Sequence, residues 1–157
     1  MSQLRVGLGL DAHRFGGTPP LVLGGVIVDQ ERGLDATSDG DAVAHAVSDA
    51  LLGAVGLGDM GTHFPSTDDR WQGADSMSML VTVVKLVRAS GWWVNNVDVT
   101  IVAQDVRIDP HREAMREALS DVLETRAVSV KATTTDTMGF TGRGEGLAAL
   151  AVVTVTI

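Results

Sequence analysis

The amino-acid sequence predicts an α+β protein of two layers, a mixed β-sheet carrying helices on one face. Three observations lead there. Segments with the two-residue period of a strand alternate with segments of helical period. The 157 residues, 45% of them hydrophobic, suit one catalytic domain, 1–157, with a substantial core. The strand segments would also leave a helix-free sheet face rich in Val and Ile, which self-association would bury most simply.

Leu4 to Leu10 reads as a short strand with two glycines, delivering Asp11 and His13 at its C-terminal end. Leu21–Leu23 and Val26–Val28, joined by Gly24-Gly25, carry a hairpin signal. Ser38 offers an N-cap for a helix through about Leu52, with Asp41 three residues on and Val43, Val47, Ala50, Leu51 and Ala54 inward. Gly53 to Asp75 reads as a long irregular loop, a candidate lid or substrate wall. Ser76 can cap a second helix that ends before Gly91, with Leu80, Val83, Val84 and Val87 inward. Val97, Val99 and Ile101 alternate as a strand, and Asp109-Pro110 opens a third helix. Val128–Ala132 and Ala149–Ile157 then close the sheet.

Composition narrows the function. Twenty acidic residues against twelve basic ones give a net charge of −8, which argues against a nucleic-acid or anionic-membrane partner. A small phosphorylated substrate remains compatible, because a local cation or backbone amides override the long-range field. Without cysteine, any transition metal must be held by His and carboxylates. No apolar run approaches the roughly 20 residues of a membrane helix, and no signal peptide is evident, so the expected compartment is the cytoplasm.

Asp11 and His13 lie two apart in extended chain and so project to one side. Asp41, His45 and Asp49 are spaced by four and stack on one helix face. If His45 meets Asp11 and His13, two imidazoles and a carboxylate form a site with an open fourth position, a donor set that favours zinc over magnesium. Spacing alone favours ordinary polar residues and a solvated helix face. Lys131–Asp136, followed by Gly139–Gly146, places hydroxyls, a carboxylate and glycines after a strand. Such a segment can cradle phosphates or be a Thr-rich turn, and Arg143 tilts it toward anions. His63 and His111 have no ligand-spaced partner and are not assigned to a metal.

Taken together, Gly9-Leu10-Asp11-Ala12-His13, Ser38-Asp39-Gly40-Asp41 with His45, Leu57-Gly58-Asp59-Met60-Gly61 and Lys131 through Gly146 resemble the 2-C-methyl-D-erythritol 2,4-cyclodiphosphate synthase family, in order and spacing, over essentially the whole chain. The resemblance implies a cyclising, CMP-releasing phosphorus–oxygen lyase of the non-mevalonate isoprenoid pathway. It implies zinc, or another divalent transition metal, on Asp11, His13 and His45. Ser38, Asp59 and Gly61 would contact the substrate, the last two at the methylerythritol hydroxyls. Ala103, Arg107, Ile108, Asp109, Ala132, Thr133 and Thr134 would receive the cytidine diphosphate part, and Asp136 magnesium or manganese. Thr134 and Asp41 would be catalytic. A homotrimer is implied, its sheets around the trimer axis and its active sites between subunits, with Phe140 and Arg143, as substrate-binding residues, and Glu145 toward that axis. Thr37, where His often stands, Asp136 for Glu, Thr137 for Lys and Asp109 for an apolar residue depart from the family pattern.

Overall fold

A computed structural model describes residues 3–157. Strand β1 runs from Leu4 to Phe15, five residues beyond the expected end at Leu10. The polar stretch stays in the sheet because it is paired: Asp11 lies opposite Ala149, His13 opposite Leu147, and Arg14 opposite both Gly146 and Asp35. Asp11 and His13 are therefore held inside a laddered strand instead of at its tip.

The hairpin of β2 (Leu21–Leu23) and β3 (Val26–Asp29) forms as expected. Its turn residues Gly24 and Gly25 both adopt positive φ, 58° and 74°, which a two-residue turn matched to strand twist requires. The short β4 (Leu34–Asp35) precedes helix α1, Ala42–Val55. Its cap is Asp41 and not Ser38, for a tertiary reason. The Asp41 carboxylate accepts from Ala44 N at 3.0 Å and also from Gly24 N and Gly25 N, each at 2.8 Å, so it ties the helix start to the hairpin turn.

The expected irregular loop contains the end of α1, a short helix α2 (Met60–His63) capped by Asp59, and a 3-10 turn at Asp69–Trp71. Helix α3 spans Ser76–Ala89 and is capped by Asp75, whose carboxylate accepts from Met77 N and Ser78 N; Ser76 is its first residue, not its cap. Strand β5 (Trp93–Val102), a 3-10 turn at Asp109–His111, α4 (Arg112–Leu123), β6 (Val128–Thr133), the short α5 (Gly139–Gly142) and β7 (Gly146–Thr156) complete the chain.

The main sheet has the order β4-β1-β7-β5-β6, antiparallel except for the parallel pair β5 and β6, and is therefore mixed. Helices α1, α3 and α4 pack on one side, over Val97, Val99 and Ile101 of β5 and Ala149, Ala151, Val153 and Val155 of β7. Helix α1 crosses β1 over two glycines. A Cβ on Gly7 would lie 1.8 Å from the Ala50 carbonyl oxygen, and one on Gly9 would lie 1.8 Å from that of Ala46. No residue with a side chain fits there, so these glycines set how closely α1 approaches β1.

None of α1, α3 and α4 covers the opposite side. Leu4, Val6, Leu8 and Leu10 point outward at 61, 63, 67 and 62% exposure, beside Leu150 and Val152 of β7. Opposite pairing places Leu10 against Leu150 and Leu8 against Val152, making one contiguous apolar strip.

Candidate metal centre and adjoining cleft

The inward parity of β1 that brings Gly7 and Gly9 under α1 also turns Asp11 and His13 toward it, and His45 descends from the first turns of α1 to meet them. Asp11 Oδ2 lies 2.7 Å from His13 Nε2 and 3.1 Å from His45 Nδ1, and the two nitrogens are 3.4 Å apart. A tetrahedral ion with bonds of about 2.0–2.1 Å sets its ligand atoms roughly 3.3 Å apart, so one carboxylate and two imidazoles fit a divalent transition metal with little movement. These three are the one such cluster among the described residues. His63 and His111 lie outside it; His63 Nε2 donates instead to the Leu57 carbonyl at 2.8 Å.

The far sides of both rings are also held. His13 Nδ1 is 3.2 Å from the Asp35 carbonyl on β4. His45 Nε2 is 2.8 Å from Ser76 Oγ and 3.2 Å from Ser38 Oγ. Burial pushes the Asp11 carboxyl up, but its close contacts with the His13 and His45 imidazoles outweigh it and bring its pKa down to about 2. Burial opposes charge on His13 as well, yet the hydrogen bond and charge of Asp11 and the Asp35 carbonyl raise it above the ordinary imidazole value.

The cluster forms one end of a cavity of about 230 Å³. Ser38, Thr37, Asp49 and Gly61 line it on the polar side, and Phe64, Trp71 and Met79 close it on the apolar side. The segment expected as a lid or substrate wall supplies Met60, Gly61, Phe64, Ser66 and Trp71 to this cavity. Asp49 accepts from Met60 N at 2.7 Å, and burial, with the charges of Asp59 and Asp11, raises its carboxyl above the usual range.

Two carboxylates expected at the site do not themselves line this cavity. Asp41 is fully buried as the α1 cap, both oxygens occupied by backbone N–H groups, and does not line the cavity. It failed the four-residue stacking rule because a cap residue is not yet helical. Asp59 is also outside the wall: it accepts from Thr62 N at 2.8 Å and Thr62 Oγ1 at 2.7 Å to cap α2, which holds its carboxyl below the usual range.

Every residue expected to receive a cytidine diphosphate, namely Ala103, Arg107, Ile108, Asp109, Ala132, Thr133 and Thr134, lines a second depression of about 200 Å³, between the ends of β5 and β6 and the turn before α4. It shares no residue with the metal cavity. Asp109 is ion-paired with Arg112 at its rim. Asp136, exposed just beyond, adopts φ 50° and Thr137 φ 67°; Thr137 N donates to Gln104 Oε1 at 3.2 Å. Phe140 is exposed on α5, and Arg143 pairs with Glu145 at 3.2 Å.

The chain matches the model of the YgbB family over residues 4–156. It is 59% identical over 156 residues to the 2-C-methyl-D-erythritol 2,4-cyclodiphosphate synthase of Alkalilimnicola ehrlichii, covering 97% of this chain and 94% of that one. To the protein of the same name from Vibrio vulnificus it is 54% identical over 152 residues, 96% of each. Among solved structures it resembles the bifunctional IspDF of Campylobacter jejuni, with a TM-score of 0.96 and 39% identity over 99% of this chain; it spans 43% of that longer protein. It also resembles a CDP-bound form of 2C-methyl-D-erythritol-2,4-cyclodiphosphate synthase, with a TM-score of 0.85 and 35% identity over 95% of this chain and 98% of that one.

Proposed function

The chain belongs to the YgbB family, and from that premise we propose that it converts 4-diphosphocytidyl-2-C-methyl-D-erythritol 2-phosphate into 2-C-methyl-D-erythritol 2,4-cyclodiphosphate and CMP. The observation that carries this reading is the meeting of Asp11, His13 and His45 at the end of a polyol-sized cavity. An oxygen of the 2-phosphate attacks the β-phosphorus of the same molecule; the bond from that phosphorus to the CMP oxygen breaks, and an eight-membered ring closes. No protein nucleophile is required, so the work of the protein is to hold attacking oxygen, phosphorus and leaving group in line.

Asp11, His13 and His45 would hold zinc or a similar divalent ion, which when bound offsets negative charge on the phosphoryl oxygens. Thr37, Ser38 and the Gly61 backbone lie where a substrate's phosphate and hydroxyl oxygens would reach the wall, and Asp49 is the further carboxylate there. Phe64 and Trp71 exclude water from the same space. The depression between β5 and β6 would take the cytidine diphosphate, with Thr134 at its phosphate end. Asp136 is exposed there and would hold magnesium or manganese, ions that need only one or two carboxylates beside phosphate oxygens.

The strip of Leu4, Val6, Leu8, Leu10, Leu150 and Val152 is covered, in this reading, by two further copies of the chain in a homotrimer. The metal cavity of one copy and the cytidine depression of its neighbour then complete one active site, which accounts for two half-sites that share no residue. Phe140 and Arg143 would lie toward the axis. No helix among the described residues is long and apolar enough to cross a membrane, and the reading places the enzyme in the cytoplasm.

The test is incubation of the purified protein with the cytidylylated 2-phosphate and magnesium, followed by phosphorus NMR. The expected products are the cyclic diphosphate and CMP. Linear methylerythritol phosphates would instead mark a metal phosphohydrolase, and retention of substrate without CMP release would mark a binding protein; either would overturn the proposal.

A further inference from the structure

His45 is the one ligand of the triad that comes from a helix, and both of its ring nitrogens are in contact: Nδ1 with Asp11 at 3.1 Å and Nε2 with Ser76 Oγ at 2.8 Å. A neutral imidazole carries a single N–H, so only one of these contacts is a donated hydrogen bond. Which one it is follows from what lies behind Ser76.

Ser76 is fully buried at the start of α3. Its hydroxyl makes a very close contact with Asp39 Oδ1, and its backbone N–H donates to Asp39 Oδ2 at 3.2 Å. A carboxylate only accepts, so the single hydroxyl proton of Ser76 goes to Asp39. Ser76 Oγ then faces His45 with its lone pairs and must accept, which fixes the imidazole proton on Nε2. Nδ1 is left with its lone pair aimed at Asp11 Oδ2 and, 3.4 Å away, His13 Nε2. Two lone pairs that face one another at 3.1 Å repel unless a cation stands between them. Ser38 is a weaker second acceptor for the same N–H, at 3.2 Å, and is itself engaged by Gly40 N.

We propose that Asp39 and Ser76 are positioning residues of this centre: through one hydrogen-bonded relay they fix the His45 proton on Nε2 and turn the Nδ1 lone pair toward Asp11 and His13. The inference rests on the reading of the triad as a cation site. It adds that the site is preorganised by α3, an element that contributes no ligand, and that Ser76 touches neither the ion nor the reacting atoms. Ring partners of this kind commonly govern metal affinity by about 10–100-fold.

The experiment compares the full chain with its Ser76→Ala and Ser76→Thr variants in two measurements: zinc affinity by competition with a chromogenic chelator, and the His45 tautomer in the metal-stripped protein by nitrogen–proton correlation NMR. Ser76→Ala is expected to bind zinc about 10–100-fold more weakly and to lose the uniform Nε2-protonated form, with its melting temperature preserved because Asp75 still caps α3. Ser76→Thr, which keeps the hydroxyl, is expected to restore both. Unchanged affinity and tautomer in Ser76→Ala would overturn the relay. A wild-type chain that binds no zinc yet keeps the Nε2-protonated His45, lost in Ser76→Ala, would sink the metal assignment and uphold the relay.

Discussion

Asp11 joins two imidazoles through one oxygen, and that arrangement makes the metal-free protein respond to pH on both sides. The Asp11 carboxyl is brought from its ordinary 3.8 to about 2, so its contribution is in place above 3.8 and is lost as pH falls toward 2. The shift is worth at most about 2–3 kcal/mol. His13 is raised, so its contribution is in place below 6.5 and is lost as pH rises through its elevated value. Urea denaturation of the metal-stripped chain is therefore expected to show the pair's full effect near pH 5. His13→Gln should cost more stability at pH 5 than at pH 9, and a loss independent of pH would contradict the pairing. His45→Ala removes the helix-borne ligand without touching the Asp41 cap or the core. It should abolish both stoichiometric zinc binding and turnover while leaving the circular dichroism spectrum unchanged; an active, zinc-free variant would contradict the assignment.

At the level of elements, the centre depends on how closely α1 lies on β1, since Asp11 and His13 sit on one and His45 on the other. Gly9→Ala would drive a methyl into the Ala46 carbonyl, one residue from His45, and the helix must lift or slide. A destabilisation of about 3 kcal/mol or more is expected, with weakened zinc binding in whatever folds, measured by thermal melting and chelator competition. A Gly9→Ala variant with wild-type melting and affinity would refute this view of the contact. The same junction shows what was legible in the sequence. The two-residue spacing of Asp11 and His13 foretold their shared side, and the apolar stripe of α1 foretold its buried face. That His45 would reach them across 32 residues was available only from resemblance, because spacing carries no information on which helix crosses which strand. The caps were missed by one to three residues, since Ser38 and Asp41, or Asp75 and Ser76, suit a cap equally in sequence. Backbone geometry and the hairpin N–H groups decide between them. The role of Ser76 beside His45 left no local mark at all. The continuation of β1 through polar residues was hidden because its partner β7 lies more than 130 residues away.

For the whole molecule, the bare side of the sheet sets the expectation. Six outward apolar side chains on β1 and β7 form a surface that a lone copy would leave in water. Leu8→Glu changes a side chain that is 67% exposed, so it should leave the fold intact. In sedimentation velocity the variant is expected to run as a monomer and the wild type as the proposed trimer, and turnover should fall with assembly because the proposed active site is split between copies. A Leu8→Glu chain of unchanged mass and activity would show that this strip is not the interface. Strand β1 finally serves two unrelated ends by alternation alone: residues 4, 6, 8 and 10 form the exposed apolar strip, while 7, 9, 11 and 13 face the helix and the candidate metal centre. Inserting or deleting one residue between Leu10 and Asp11 would break that phasing, so that either the leucines turn into the Ala46 and Ala50 carbonyls or both ligands turn out to the opposite side. A single-codon length change at that point would leave the strand unable to present the apolar strip and the ligand pair at once.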